Sequence, residues 1–149
     1  MAHDYLMSIL GRDLVAVGRL WRRVINQRMV FTGLPYAQWM VLDNLNRSGE
    51  GVNQKVVARR VGIERSAMVR VIKDMEEAGL ILRETPPDDN RTRHLVLTEK
   101  GRKHAKEISA TARQFDDIVL AGFSTPDLHH LFTQLQIMRD RLSHLDEDT

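Results

Sequence analysis

The chain has 149 residues, enough for one domain with its own core, and its 22 Lys and Arg nearly balance its 20 Asp and Glu. Any basic site must therefore be a local cluster rather than a property of the whole surface. The absence of cysteine excludes disulfides and thiolate metal sites and suits a reducing compartment.

A first long helix is predicted for residues 5–31. Its apolar residues recur at three- and four-residue steps, with arginines along the edges. Charges inside this run argue against a signal peptide or a membrane span, so we expect a cytoplasmic protein without a membrane partner. Residues 33–35, Gly-Leu-Pro, end the helix, and a second helix is predicted for residues 36 to about 46. The apolar positions of the first helix are Leu6, Leu10, Leu14, Val17, Trp21 and Val24.

Residues 52–98 have the pattern of a winged helix-turn-helix. Two short helices are separated by Gly62, a residue suited to a left-handed backbone after a helix. A hairpin with a turn-rich loop at 85–92 follows. The predicted elements are helices at 53–61 and about 65–78, and strands at 80–84 and 94–97.

The second of these short helices has one apolar and one polar face. Met68, Ile72 and Met75 share the apolar side, whereas Ser66, Arg70, Lys73 and Glu77 share the opposite one. The pattern predicts a helix packed by one face with a cationic strip on the other. Gly79, at the end of this helix, also lies on the apolar side.

Clustered cations make double-stranded DNA the predicted partner. Between residues 55 and 73, six basic residues accompany one acidic residue, Glu64. A helix of this type fits the major groove, where Arg70 is best placed to pair with guanine. The alternative is that these are ordinary solvated charges on an amphipathic helix and a polar hairpin. The basic residues are Lys55, Arg59, Arg60, Arg65, Arg70 and Lys73 in the helices, with Arg91 and Arg93 in the loop.

Two further helices are predicted after the hairpin. Thr98 is a plausible N-cap for a helix reaching about Gly122, and Ser124 with Pro126 begins the last one. Both helices have apolar seams at heptad-like spacing, and together with the first helix they exceed what one small domain needs. We therefore expect a homodimer on a pseudo-palindromic operator, with an intramolecular three-helix bundle as the alternative. The seams are Gly101, Ala105, Ile108, Ala112, Phe115, Val119 and Gly122, then Leu128, Leu131, Leu135, Met138, Leu142 and Leu145.

The expected fold class is thus mainly α (α+β). Residues 35–98 form the winged helix-turn-helix, and residues 1–34 and 99–149 form the dimerisation helices.

Several short motifs resemble the MarR family of bacterial regulators, and its SlyA-like branch most closely. The likeness covers nearly the whole chain and is most specific between residues 60 and 101. Its motifs are residues 14–21, Gln38-Trp39-x-Val41-Leu42, Gly62-Ile63-Glu64, Val69-Arg70, Glu76-Glu77-x-Gly79-Leu80-Ile81, Asp89-x-Arg91 and Leu97-Thr98-Glu99-Lys100-Gly101.

The resemblance implies roles for particular residues of the DNA-binding region. It implies that Arg70 reads bases, that Arg91 reaches the minor groove, and that Asp89 holds this arginine in place. The full set of expected DNA-contacting residues is Lys55, Arg65, Ser66, Arg70, Lys73, Asp89, Arg91 and Arg93.

The resemblance also implies a pocket for a small aromatic carboxylate or phenolic effector, where the dimerisation helices meet the DNA-binding region. An arginine would pair with a carboxylate, and aromatic rings would supply apolar surface. The alternative is that Trp21 and Trp39 are core anchors and the arginines lie at the surface. Pro35 stands where the family commonly has a capping Thr, so one hydroxyl near that pocket is missing. The candidate wall residues are Arg19, Trp21, Arg23, Tyr36, Gln38 and Trp39.

Enzymatic chemistry has no recognisable motif here. Residues 49–51, Gly-Glu-Gly, lack the third glycine and the leading strand of a phosphate-binding loop. His129 and His130 are adjacent on a helix and point about 100° apart, so they are poorly placed to share a metal. We therefore expect no enzyme, no cofactor and no bound metal, although metal sensing occurs in the family.

Two function classes follow. The first is a dimeric, sequence-specific DNA-binding regulator, a repressor released by the effector. The alternative is a winged-helix protein-interaction module, which would not need a basic recognition face.

Overall fold

The computed structural model of the chain describes residues 1–49 and 51–147, without the side chain of Glu147. Glu50 in the predicted loop after the second helix, and Asp148 and Thr149 at the end of the predicted 99–149 segment, lie outside the described residues. The helices are α1 (Ala2–Arg28), α2 (Tyr36–Ser48), α3 (Gln54–Val61), α4 (Arg65–Glu77), α5 (Glu99–Val119) and α6 (Thr125–Glu147), and the strands are β1 (Val52–Asn53), β2 (Ile81–Glu84) and β3 (His94–Leu97).

The strands form a three-stranded antiparallel sheet in the order β1-β3-β2. Ile81 lies opposite Leu97 in the predicted hairpin, and Val52 lies opposite Leu95 in an additional pairing. Strand β1 was not predicted, because two residues are too few to show an alternating pattern. With α3 and α4 preceding the hairpin, the predicted winged helix-turn-helix is confirmed.

The hydrophobic core is formed by the buried faces of several helices and strands. Met68, Ile72 and Met75 of α4 are buried, as predicted from their spacing. A helix this short is marginal alone in water, so its stability comes from packing this apolar face. Their partners in the same core cluster include Trp39, Leu42, Val57, Leu80, Ile81, Leu95, Ala105 and Ile108.

Helix α1 ends three residues earlier than predicted. A 3-10 turn at Val30–Thr32 follows it and is closed by Gly33, whose φ of 64° is left-handed. The buried Thr32 hydroxyl donates to the Met29 carbonyl and accepts from the Leu34 backbone N–H, which fixes this corner. Pro35 is the N-cap of α2, which begins at Tyr36 as predicted.

Helix α5 begins as predicted and passes very close to Leu80, the residue before β2. The Thr98 hydroxyl accepts from the Gly101 backbone N–H at 2.9 Å, which satisfies one of the free donors at the helix start. A Cβ on Gly101 would lie 1.9 Å from the Leu80 carbonyl oxygen, so only glycine fits there. The helix ends at Val119, three residues before the predicted end.

The chain divides into two compact units, Met1–Phe115 and Asp116–Thr149, and the boundary between them lies within α5. In the second unit, the Ser124 hydroxyl is the N-cap contact of α6, since it accepts from the Asp127 backbone N–H at 3.3 Å. Ser124 in turn donates its hydroxyl and its backbone N–H to the Asp127 carboxylate. These hydrogen bonds lower the pKa of Asp127 below its usual value, because they favour the ionised form.

Along α6, Leu131, Leu135, Leu142 and Leu145 are exposed in the single chain, and so are Leu6, Leu10, Leu14 and Val17 along α1. Within residues 1–49 and 51–147, no helix is both long and apolar enough to cross a membrane.

Candidate nucleic-acid interface

The turn between α3 and α4 sets the direction of α4. Asn53 caps α3 by accepting the Lys55 backbone N–H at 2.8 Å. Gly62 ends this helix with a left-handed φ of 72°, and its N–H donates to the Ala58 carbonyl. The chain can then begin α4 at Arg65 within three residues. Because Met68, Ile72 and Met75 anchor α4 to the core, its opposite face is held outward.

That outward face of α4 carries the predicted base-reading residues. Ser66, Arg70 and Lys73 are all exposed and lie three or four residues apart, so they form one continuous strip. Lys73 makes only a long, exposed contact of 3.8 Å with Glu77. An exposed pair of this kind is weak, so the ammonium can leave it for another anion.

The wing is shaped by Asp89. Its carboxylate accepts the Arg91 backbone N–H at 2.8 Å and the Thr92 hydroxyl at 3.1 Å. Across the loop, the Arg93 guanidinium donates to the Thr85 hydroxyl at 2.6 Å. Asp89 therefore orders the backbone at the loop tip, and the Arg91 side chain is exposed. The resemblance implied that Asp89 holds Arg91, and the hydrogen bond found here reaches its backbone.

An ion pair fixes the wing to the helix. The Arg83 guanidinium on β2 lies 3.0 Å from the Glu76 carboxylate on α4, and both side chains are about two-thirds covered. Partial burial lessens screening by solvent, so this pair is better placed to hold the two elements together than the exposed Lys73 pair. The wing and the exposed strip of α4 thus have a defined spacing.

A cleft of about 220 Å³ lies where α3, α4 and the wing meet. Four of the eight predicted DNA-contacting residues line it, all of them cations. Apolar atoms of Ala58 and Met68 also line it, and no carboxylate does. The charged residues that line this concave surface are all cations, which suits a phosphate group. The lining residues are Asn53, Gln54, Lys55, Ala58, Arg65, Met68, Arg91, Thr92 and Arg93.

Comparison with known proteins finds a family that is similar to this region. A sequence model of the MarR family matches residues 32–92. Residues 32–92 are therefore similar to the MarR family.

Solved structures of MarR-family and other transcriptional regulators extend the likeness to about nine tenths of the chain. The transcriptional regulator PA3341 is 29% identical over 91% of this chain and 98% of its own, with a TM-score of 0.79. CouR from Rhodococcus jostii RHA1, solved with p-coumaroyl-CoA, is 29% identical over 90% of this chain and 94% of its own, with a TM-score of 0.78. The regulator SlyA, 23% identical over 91% and 94%, has the same fold, with a TM-score of 0.73.

Within residues 32–92, three polar residues of the cleft were not among the predicted contacts. Asn53 and Gln54 lie at the start of α3, and Thr92 lies in the wing. Asn53 could have been found, because Asn is a preferred N-cap residue and helix starts leave N–H groups free for anions. Thr92 has no such signal, since its place depends on how Asp89 folds the loop.

The predicted effector-pocket residues separate into different environments. Trp39 is only 2% exposed, and its indole N–H donates to the Asn26 side chain at 3.2 Å, so it is a core residue in this structure. The Tyr36 ring lies edge-on to Trp39 at 5.0 Å, with the Arg22 guanidinium 4.1 Å above its centre. Trp21 packs edge-on against Phe115 at 5.1 Å and is half-buried. Of the remaining candidates, Gln38 is half-buried, and Arg19 and Arg23 are exposed.

Proposed function

We propose that the chain is a homodimeric, sequence-specific DNA-binding transcriptional regulator of the SlyA-like branch of the MarR family. The observation that carries the proposal is the cationic cleft beside the exposed strip of α4. Lys55, Arg65, Arg91 and Arg93 line the cleft, and Arg70 lies on the neighbouring strip. A protein-docking module would have no need of four converging cations without a carboxylate among them.

The geometry supports two kinds of DNA contact, one within the grooves and one with the backbone phosphates. Helix α4 enters the major groove, where Arg70 donates to the two acceptors on the edge of a guanine. Lys55 and Arg65 hold the backbone phosphates that fix the register. Arg91, at the wing tip, enters the adjacent minor groove, where A·T-rich sequences concentrate negative potential.

A two-fold dimer supplies the second half of the site. The exposed apolar residues of α1 and α6 are the surfaces we assign to the partner. Two copies of α4 would then meet successive major grooves, so the operator is pseudo-palindromic.

We also propose that the protein is a repressor released by a small aromatic, anionic effector. Support comes from CouR, a relative solved with p-coumaroyl-CoA. The candidate contacts are Arg19, Arg22 and Tyr36, with Trp39 supporting Tyr36 from the core. Such a ligand must prefer a dimer whose two α4 helices are wrongly spaced for DNA, since equal affinity for both spacings would shift nothing.

The test is selection of binding fragments from a random duplex library, followed by titration of the best duplex at several salt concentrations. We expect an enriched inverted repeat, and a log–log salt slope reflecting several phosphate contacts. Recovery of no enriched sequence, with a flat salt response, would favour the docking module.

A further inference from the structure

Val69 is an exposed apolar residue at the edge of the polar strip of α4. The residue is 52% exposed. Residues three and four apart on a helix are neighbours, so Val69 adjoins Arg65, Ser66 and Lys73, and Arg70 follows it directly. The exposed surface around it is therefore polar or cationic.

Folding does not account for this valine. It takes no part in the core, in contrast to Met68, the residue before it, and Ile72, three residues after it. A β-branched residue is also a poorer helix former than Ala, Leu or Arg, because its χ1 rotation is restricted in a helix. An exposed position on α4 would thus be more stable with almost any straight-chain residue.

The major groove offers one apolar group to a side chain, the C5-methyl of thymine. Every other base edge there presents hydrogen-bond donors and acceptors, which the isopropyl group of Val69 cannot satisfy. We propose that Val69 is a specificity-determining residue that selects thymine at one position of each operator half-site, by contact with this methyl group. The inference rests on the proposed function, since it assigns one base to a site that α4 must already read.

Removing the methyl group from DNA tests the contact with nothing else changed, because uracil pairs as thymine does and lacks only that group. Each thymine of the selected duplex is replaced by uracil in turn, and the dissociation constant is measured for the wild type and for Val69→Ala. At one thymine per half-site, uracil should weaken wild-type binding about four-fold, as expected for burial of one methyl-sized group. Val69→Ala should bind the thymine and uracil duplexes equally.

Two further variants separate this effect from general damage. Val69→Thr keeps one γ-methyl group and should retain sensitivity to uracil at the same position. Val69→Ser carries the same hydroxyl as Val69→Thr without a γ-methyl group and should lose that sensitivity. Equal binding of Val69→Ala and wild type to random duplex shows that the variant is folded and keeps its phosphate contacts.

Two results would overturn the assignment. One is a wild-type protein that tolerates uracil at every position. The other is a Val69→Ala variant with the same pattern of uracil sensitivity as the wild type. In both cases tight binding to the selected duplex would leave the proposed regulator function standing. Failure of that function would appear earlier, as the absence of any selected duplex.

Discussion

Gly101 has the most demanding packing position in the chain. A Cβ there would lie 1.9 Å from the Leu80 carbonyl oxygen and 2.9 Å from the Leu80 carbonyl carbon. Backbone atoms cannot give way as a flexible side chain can. Gly101→Ala should therefore move the start of α5 away from β2 and cost more than about 3 kcal/mol of unfolding free energy.

Gly11→Ala is the matched control, measured in the same denaturant titrations. Gly11 also lies within a helix, and nothing lies within 4 Å of an added Cβ. Alanine favours a helix over glycine by up to about 1 kcal/mol, so this variant should be as stable as the wild type or more so. Equal losses of unfolding free energy for both variants would mean that the close approach to Leu80 is not the reason for glycine at position 101.

Arg70 and Lys55 carry the same charge and should nevertheless differ in their effect on DNA binding. Arg70 lies on the outer strip of α4, and Lys55 lines the cleft at the start of α3. Arg70→Ala should weaken the selected duplex by about 1–3 kcal/mol and leave random duplex nearly unchanged. Lys55→Ala should weaken both duplexes alike and reduce the salt slope by about one. Equal losses on both duplexes for Arg70→Ala would remove it from the base readers.

At the scale of elements, the wing depends on one carboxylate that holds its backbone. Asp89→Ala removes the acceptors of the Arg91 N–H and the Thr92 hydroxyl, so the loop tip should lose its fixed shape. Affinity should fall, most of all for duplexes with A·T-rich flanks, and by less than for Arg91→Ala. Competition titrations on duplexes that differ only in their flanks measure this.

The neighbouring Asp88→Ala provides the charge control for the wing. Asp88 is also exposed, and replacing it removes the same negative charge without touching the hydrogen bonds of Asp89. Loss of a negative charge alone should strengthen binding to a polyanion slightly. A fall in affinity that is the same for both variants would contradict the structural role of Asp89.

Local patterns were sufficient to predict most of the elements. The two faces of α4 follow from helical spacing alone, and the caps at Thr98 and Ser124 follow from hydroxyls placed before apolar runs. Strand β1 could not be predicted in the same way, because its two residues become a strand only by pairing with β3.

The cleft marks the limit of prediction for the site. Its cations could be proposed from charge clustering, yet their convergence depends on three segments brought together by the core. Trp39 shows a second limit of prediction from sequence. A tryptophan in a family motif suits a ligand wall and a core equally well, and only its burial and its hydrogen bond to Asn26 distinguish the two.

For the whole molecule, a polar network connects a proposed dimerisation helix to the DNA-binding region. The Asn46 amide donates to the Ser109 hydroxyl at 2.9 Å, and Ser109 donates to the Asp43 carboxylate at 2.7 Å. Ser109 is on α5, and the other two residues are on α2, so a displacement of α5 within this unit acts directly on α2. Partly buried hydrogen bonds to a charged group resist separation, which makes the pair of helices move together.

The apolar seams of α1 and α6 are exposed to solvent in the single chain, and contacts within that chain do not explain them. Leu6, Leu10, Leu135 and Leu142 are exposed at a spacing typical of helix–helix contacts. Leu135→Lys should place an unpaired charge in the proposed interface, twice in a symmetric dimer, and raise the dissociation constant of the dimer by roughly a hundred-fold or more. Thr133→Lys adds the same charge two residues away, on the opposite side of α6, and should leave the dimer intact. Sedimentation equilibrium of the three proteins over a range of concentrations distinguishes these outcomes. A wild type that is monomeric at micromolar concentration, or two lysine variants that behave alike, would contradict the interface.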